Sequence, residues 1–285
     1  MPPLPALPRI VVDDVIRRAL LEDLGRGDVT TTACVPPELT GSAELVARVP
    51  LVCAGLDVFE AVFAAVDPRV RVERRARDGE RLERRAVAAL VSGPSASILE
   101  GERVALNFVQ RMSGVATKTR ALVDALPAGS RTRITDTRKT TPGLRALERY
   151  AVRCGGGHNH RDDLSSAVLI KDNHIAAVGG VRQAIERARA FAPHTSRIEC
   201  EVKTFAELDE ALDARADIIM LDDFDDDALG QAVAKIGGRA LVEVSGSVTL
   251  ERIPKIAAAG IDVISVGGLT HSAPAVDLAL DWVVG

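Results

Sequence analysis

A chain of 285 residues, 47% of them apolar, is long enough to bury one large core, or a core with a smaller satellite domain. Its 36 basic and 40 acidic residues leave a net charge of −4, and only 3% are aromatic. That balance argues against a surface built on phosphate neutralisation and base stacking, and so against a nucleic-acid partner; any anionic ligand must be met by cations placed locally.

Four cysteines, Cys34, Cys53, Cys154 and Cys200, lie far apart with no C-x-x-C pair. Neither a disulfide framework nor a zinc knuckle is expected, and a reducing cytoplasm fits. The opening stretch MPPLPALPRIVVDDV has no charged n-region and no sustained apolar run, so neither export nor a membrane span is expected.

In chain order, the first 110 or so residues suggest an α+β layer. A capped helix is predicted over 12–21, followed by the cluster Thr30, Thr31 and Thr32. The alternating runs GSAELVARVPLVCAG and RVRVERRARDGERLERRAVAALVSG predict a twisted, half-exposed sheet. The arginine and glutamate run at 71–85 reads as a solvated strand face and turn. A long helix over 100–126 would follow.

Beyond residue 131, short β-branched runs alternate with helical patterns. Strands are predicted at 131–135, 166–170, 197–202, 217–221, 240–244 and 262–266. Between them Leu144, Leu147 and Ala151 share a helical face, as do Val181, Ala184, Ile185 and Ala188, and later Leu250, Ile253, Ile256 and Ala257. This is a βα alternation with parallel strands, and spacings of about twenty to thirty residues suit a (β/α) barrel better than an open sheet.

In a parallel barrel, chemistry collects at the C-terminal ends of the strands. Arg138 and Lys139 follow the first predicted strand, and Lys171, Asp172, Asn173 and His174 the second. Glu201 lies near the end of the third, and Asp222 and Asp223 follow the fourth. Ser245-Gly246-Ser247 and Gly267-Gly268 follow the last two. Any one of these alone would read as a solvated charge or an ordinary turn; their joint occurrence at successive strand ends points to a site.

Arg138 offers a bidentate fork for a carboxylate and Lys139 a point charge for a phosphate. Backbone amides of the two glycine turns could cradle a phosphate. Glu201 and Asp222 offer oxygen ligands suited to magnesium, or ion-pair partners for Lys139 and Lys171. In CGGGHNHRDDL, His158 and His160 share a face; an anion-binding imidazole is favoured over a metal pair because Arg161 adjoins and no third soft ligand is near. Nucleophile elbows, a Walker loop and a strand-following G-x-G-x-x-G are all missing, so the chemistry should rest on positioning and electrostatics.

The stretches EDLGRGDVTT, GERVALNFVQRMSGVATKT, DTRKTTPGLRALERYAVRCGGGHNHR, VLIKDNH, ECEV, MLDDF, EVSGS and ISVGGLTHS together resemble the quinolinate phosphoribosyltransferase family over residues 12–281. The resemblance implies an α/β fold: an N-terminal α/β sandwich domain (1–115, with 272–285 packing back) and an incomplete, about seven-stranded α/β barrel (116–271). It implies transfer of the phosphoribosyl group of phosphoribosyl pyrophosphate (PRPP) to quinolinate with magnesium. The products are nicotinate mononucleotide, pyrophosphate and carbon dioxide, a step of NAD biosynthesis. A cytoplasmic homodimer with shared active sites is implied, alone or built into a higher oligomer.

By the same resemblance, Thr137, Arg138, His160 and Arg161 would meet the quinolinate carboxylates, with the catalytic lysines Lys139 and Lys171 close by. Arg103 would reach in from the partner subunit. Glu201 and Asp222 would act on the ribose hydroxyls and the magnesium pyrophosphate. Ser245, Gly246, Ser247, Val266, Gly267 and Gly268 would bind the 5′-phosphate. Two departures stand out: Asp162-Asp163-Leu164-Ser165-Ser166 where the family often has Gly-Leu-x-Asp, and Ser247 where glycine or asparagine is frequent. The rival readings are a pyrophosphorylase-like relative associated with molybdate transport, and a non-catalytic phosphosugar-binding subunit.

Overall fold

The structure, a computed structural model, describes residues 4 and 6–283. In chain order its elements begin with α1 (Arg9–Leu24), α2 (Val29–Cys34), β1 (Thr40–Ala47), β2 (Leu51–Val52), α3 (Leu56–Val66), β3 (Arg71–Arg74), β4 (Arg81–Leu82) and β5 (Val87–Pro94). The long α4 (Ser95–Asp124) leads to β6 (Arg133–Thr135), α5 (Arg145–Cys154), β7 (Val168–Ile170), α6 (Asp172–Val178), α7 (Val181–Phe191) and β8 (Ile198–Val202). Then come α8 (Phe205–Asp213), β9 (Ile218–Asp222), α9 (Asp226–Ile236), β10 (Leu241–Ser245), α10 (Ile253–Ala258), β11 (Val263–Ser265), α11 (Gly268–His271) and β12 (Leu278–Trp282).

Two compact units emerge. The first comprises 1–120, 139–156 and 268–285, the second 121–138 and 157–267. The sequence had suggested a cut near 115; instead the segment 139–156, with α5, groups with the first unit.

The first unit is built on an antiparallel sheet in the order β12-β1-β5-β3, with β2-β4 as a small second sheet. Ala43, Leu45 and Ala47 of β1 are buried with Ala89 and Val91 of β5, as period-2 alternation requires. On α3, Phe59 and Phe63, one turn apart, meet edge to face at 5.1 Å. The side chains of Arg71, Glu73 and Arg74 are exposed, and Arg74 pairs with Asp57 and Glu60 on α3. Chain after α11 runs so close to α4 that a Cβ on Gly114 would lie 2.0 Å from the Pro274 carbonyl oxygen, a contact only glycine permits.

Helix α1 differs from its expected form. It starts at Arg9 behind Pro8, and no side chain caps it; the Pro8 carbonyl accepts the Val11 and Val12 amides at 3.0 and 3.2 Å. Leu250 also departs from the pattern, lying exposed before α10 while Ile253 and Ile256 are buried.

The second unit is a parallel sheet in the order β6-β11-β10-β9-β8-β7. All six strands correspond to those predicted, and the first in the chain, β6, pairs with the last, β11, as in an incomplete barrel. Beside β6, the 158 segment forms a single parallel bridge between Thr135 and His158, the remnant of a seventh strand. The helices bury Ile185, Leu208, Leu229, Ile236, Ile253 and Ile256.

Candidate active site

In β8 the alternation that buries Ile198, Cys200 and Val202 places Glu199 and Glu201 together on the opposite face. Strand register aligns Glu201 with Met220 on β9 and Met220 with Glu243 on β10, and two residues further along aligns Asp222 with Ser245. Two glutamates of β8 and one of β10, the strands flanking β9, thus stand near a strand-end layer of acids and turns.

His160 sits against two of these carboxylates: its Nε2 lies 3.3 Å from Glu199 Oε2 and 3.4 Å from Glu243 Oε2. The Arg161 amide N–H donates to its Nδ1 at 2.7 Å. Burial alone would lower the imidazole pKa, but the two carboxylates outweigh it and push it up to about 10. Burial likewise raises the Glu199 carboxyl, against the pull of His160. The extra proton belongs to the cluster as a whole, and the Arg161 amide at Nδ1 favours placing it between ring and carboxylates. The other oxygens of Glu199 and Glu243, both Oε1, have no hydrogen-bond partner among the described residues.

The sequence pointed to His158 as the possible metal partner of His160; the potential ligand atoms that cluster, all within 4.8 Å of one another, are those of His160, Glu199 and Glu243. A proton shared between the ring and the two carboxylates offsets part of their charge, so the group reads as a hydrogen-bonded brace. His160, expected as a substrate contact, has Nε2 toward Glu199 and Glu243 and Nδ1 on the Arg161 amide. Sequence reasoning passed over Glu199 and Glu243, although the i, i+2 spacing from Glu201 marked Glu199.

Asp136, next after β6 and fully buried, was also passed over. Its Oδ1 accepts the His160 amide at 2.8 Å and its Oδ2 the Asn159 side-chain amide at 2.6 Å. It precedes Thr137 and Arg138 directly, so one carboxylate anchors the loop of His160 and Arg161 to the strand end carrying Arg138. The Arg161 guanidinium is held below its ordinary pKa by burial and by the Arg138 charge, with Glu199 opposing. The Arg138 charge therefore acts directly on Arg161, so the two guanidinium groups share one neighbourhood. The Asp162 and Asp163 departure does not crowd them through its backbone: Asp163 binds the amide and hydroxyl of Ser165, both at 2.8 Å, in an exposed turn.

Lys171 and Glu201 are ion-paired at 2.5 Å. Lys203, another residue the sequence reading missed, bridges Asp172 at 2.8 Å and approaches Asp222 at 3.9 Å. Burial and the like charges of Glu201 and Asp223 raise the Asp222 carboxyl, against Lys203 and Lys171. Carboxylates crowded in this way gain from a bound cation, so Glu201 and Asp222 fit a hard divalent ion.

The 245–247 turn is tightly wound: Gly246 has φ +84° and Ser247 φ +46°. A Cβ on Gly246 would fall 2.2 Å from Asp223 Oδ1, which also accepts the Ser247 hydroxyl at 3.2 Å. Val266 is tied to β6 by its amide on the Thr135 carbonyl at 3.0 Å, and Gly267 follows it. Lys139, Gly268 and Arg103 belong to the first unit. Arg103 is exposed on α4, and Gly268 opens α11.

Two models of this family match: the quinolinate phosphoribosyl transferase N-terminal domain over 28–113 and its C-terminal domain over 115–281. The chain belongs to the quinolinate phosphoribosyltransferase family. Among its relatives, the nicotinate-nucleotide pyrophosphorylase [carboxylating] of Mycobacterium leprae is 45% identical over 276 residues, covering 94% of this chain and 96% of that protein. The probable nicotinate-nucleotide pyrophosphorylase [carboxylating] of Bacillus subtilis is 42% identical over 267 residues, covering 94% and 92%. The crystal structure of NadC from Streptococcus pyogenes superposes with a TM-score of 0.94 at 41% identity, covering 98% of this chain and all of that one. The molybdate-associated reading is not favoured, and the fold is that of the quinolinate phosphoribosyltransferases.

Proposed function

We propose that this chain transfers the phosphoribosyl group of PRPP to the ring nitrogen of quinolinate and releases the adjacent carboxylate as carbon dioxide, giving nicotinate mononucleotide and pyrophosphate. It is a pentosyltransferase of NAD biosynthesis. The observation that carries the assignment of substrate is that Asp136 ties the loop of Arg161 to the strand end of Arg138, setting two guanidinium groups in one neighbourhood as a small dicarboxylate requires.

Loss of pyrophosphate leaves a cation-like sugar carbon, so the protein has to neutralise the leaving group and hold the ring nitrogen in line. Arg138 and Arg161 bind the carboxylates, and Lys139 and Lys171 supply further positive charge. Glu201, released from Lys171, and Asp222 engage the ribose hydroxyls. The same two carboxylates would hold magnesium, which neutralises pyrophosphate charge when bound. Amides of Ser245, Gly246 and Ser247, and of Gly267 and Gly268, receive the 5′-phosphate, with Val266 holding the second turn to β6. Once ribosylated, the ring is cationic and takes up the electron pair left by the departing carboxylate; a proton then replaces it.

Arg103, exposed on α4, serves the site of a second copy, making the working unit a homodimer, alone or within a higher oligomer. No helix among the described residues is long and apolar enough to cross a membrane, and a cytoplasmic setting suits a chain whose cysteines are all free.

The test is incubation of the purified protein with quinolinate, PRPP and magnesium, following nicotinate mononucleotide and carbon dioxide together, with nicotinate as control. Equal yields from quinolinate alone are expected; tight binding of both substrates without turnover would favour a phosphosugar-binding subunit instead.

A further inference from the structure

In the first unit, Lys139 is held from an unexpected direction. The Thr270 hydroxyl donates to the Lys139 carbonyl at 2.7 Å, across 131 positions of sequence. On α4 two threonines turn back on their own helix: Thr117 bonds the Ser113 carbonyl at 2.7 Å and Thr119 the Val115 carbonyl at 2.8 Å. Thr270 instead reaches a distant segment, and it has no solvent exposure, so water does not compete for its hydroxyl.

The same threonine is braced from behind. Its carbonyl accepts the Arg111 guanidinium, which also donates to the Ala273 carbonyl at 2.6 Å and pairs with Glu148 at 2.7 Å. Glu148, fully buried, accepts the Thr141 amide at 3.0 Å and the Thr141 hydroxyl at 2.7 Å. The backbone is therefore pinned at the Lys139 carbonyl and again at the Thr141 amide, two residues on. Pinning both points fixes the direction in which Lys139 leaves the chain, and so the volume its long, flexible stem can sample.

We propose that Thr270 is a positioning residue for Lys139, its hydroxyl fixing the lysine backbone from a base set by the buried Arg111–Glu148 pair. This rests on the reading of Lys139 as a cation of the reaction site. Arg111 and Glu148 then act at one remove, on Thr270 and on Thr141.

The test compares Thr270→Val, which keeps the shape and removes the hydroxyl, with Thr270→Ser, which keeps the hydroxyl. Steady-state kinetics of each are followed alone and combined with Lys139→Ala. Expected are a roughly tenfold fall in kcat for Thr270→Val, recovery to within about twofold in Thr270→Ser, and no further loss when Thr270→Val is added to Lys139→Ala. Should Thr270→Val not fold, Thr270→Ala against Thr270→Ser makes the same comparison.

Wild-type turnover in Thr270→Val, or the same tenfold loss in the Lys139→Ala background, would overturn the proposal. The parent reading is tested separately by Lys139→Ala alone. A wild-type rate there removes the role of Lys139 and the inference with it, whereas a slow Lys139→Ala beside an unimpaired Thr270→Val removes only the inference.

Discussion

The His160 amide donates at 2.8 Å to Asp136, a carboxylate with no exposure to solvent that directly precedes Thr137 and Arg138. Together with the backbone bonds of His158 to Ile134 and Asp136, this contact sets the spacing between the loop of His160 and Arg161 and the strand end of Arg138. Since the carboxylate also holds Asn159 at 2.6 Å, its removal leaves two donors without their acceptor.

Asp136→Ala should therefore cost about 3 kcal/mol of stability and also raise the KM for quinolinate more than that for PRPP. Urea unfolding with steady-state kinetics checks both. Equal changes in the two KM values would mean that Asp136 stabilises the fold without aligning the cations.

Arg138 and Arg161 carry the second prediction. If both bind one dicarboxylate, Arg138→Ala should lose about 3 kcal/mol of quinolinate affinity, roughly a hundredfold by calorimetry. Arg138→Lys should regain only part, because an ammonium lacks the planar fork. The loss of its neighbour's charge should at the same time let the Arg161 pKa rise toward its ordinary value. Unchanged quinolinate affinity in Arg138→Ala would remove the dicarboxylate assignment.

How far the sequence disclosed this site depends on what each residue looks like from its neighbours. The six strands were legible because β-branched runs repeat between helical faces. The seventh was not, since it survives as one bridge at His158 in a glycine-rich stretch and is held by backbone bonds to Ile134 and Asp136. Arg138, Lys171, Glu201 and Asp222 could be found because they sit at strand ends. Glu199 and Glu243 were hidden inside apolar strands, where only the alternation with Glu201 gave Glu199 away. Asp136 was hidden by its own motif, as the eye goes to the adjacent Arg138 and Lys139. The carboxylate partners of His160 could not be named from its loop, because they lie on β8 and β10, far away in sequence.

The cluster of His160, Glu199 and Glu243 predicts how stability responds to alkali. The imidazole pKa is raised from 6.5 to about 10, so its contribution is full below about 6.5 and is lost as pH rises through about 10. The raised Glu199 carboxyl acts in the same direction, because it too favours the proton-bound folded state. Thermal midpoints should fall between pH 6.5 and 10 in the wild type. They should fall less steeply in Glu243→Gln, where the imidazole keeps only one carboxylate. Parallel slopes in the two proteins would detach the cluster from the alkaline loss.

Arg103 supplies the last prediction. It is exposed on α4 between buried Gly101 and Val104, a position that leaves its guanidinium available to a second molecule. If each site takes Arg103 from one subunit and Lys171 from the other, Arg103→Ala and Lys171→Ala should each be nearly inactive alone. A hybrid dimer then has one site carrying both substitutions and one carrying neither. Random exchange makes about half of all dimers hybrid, each with one intact site of two, so mixed variants should recover roughly a quarter of wild-type activity. Subunit exchange is verified by native mass spectrometry on one tagged variant. Exchange without any recovery would place Arg103 in its own subunit's chemistry or outside the site altogether.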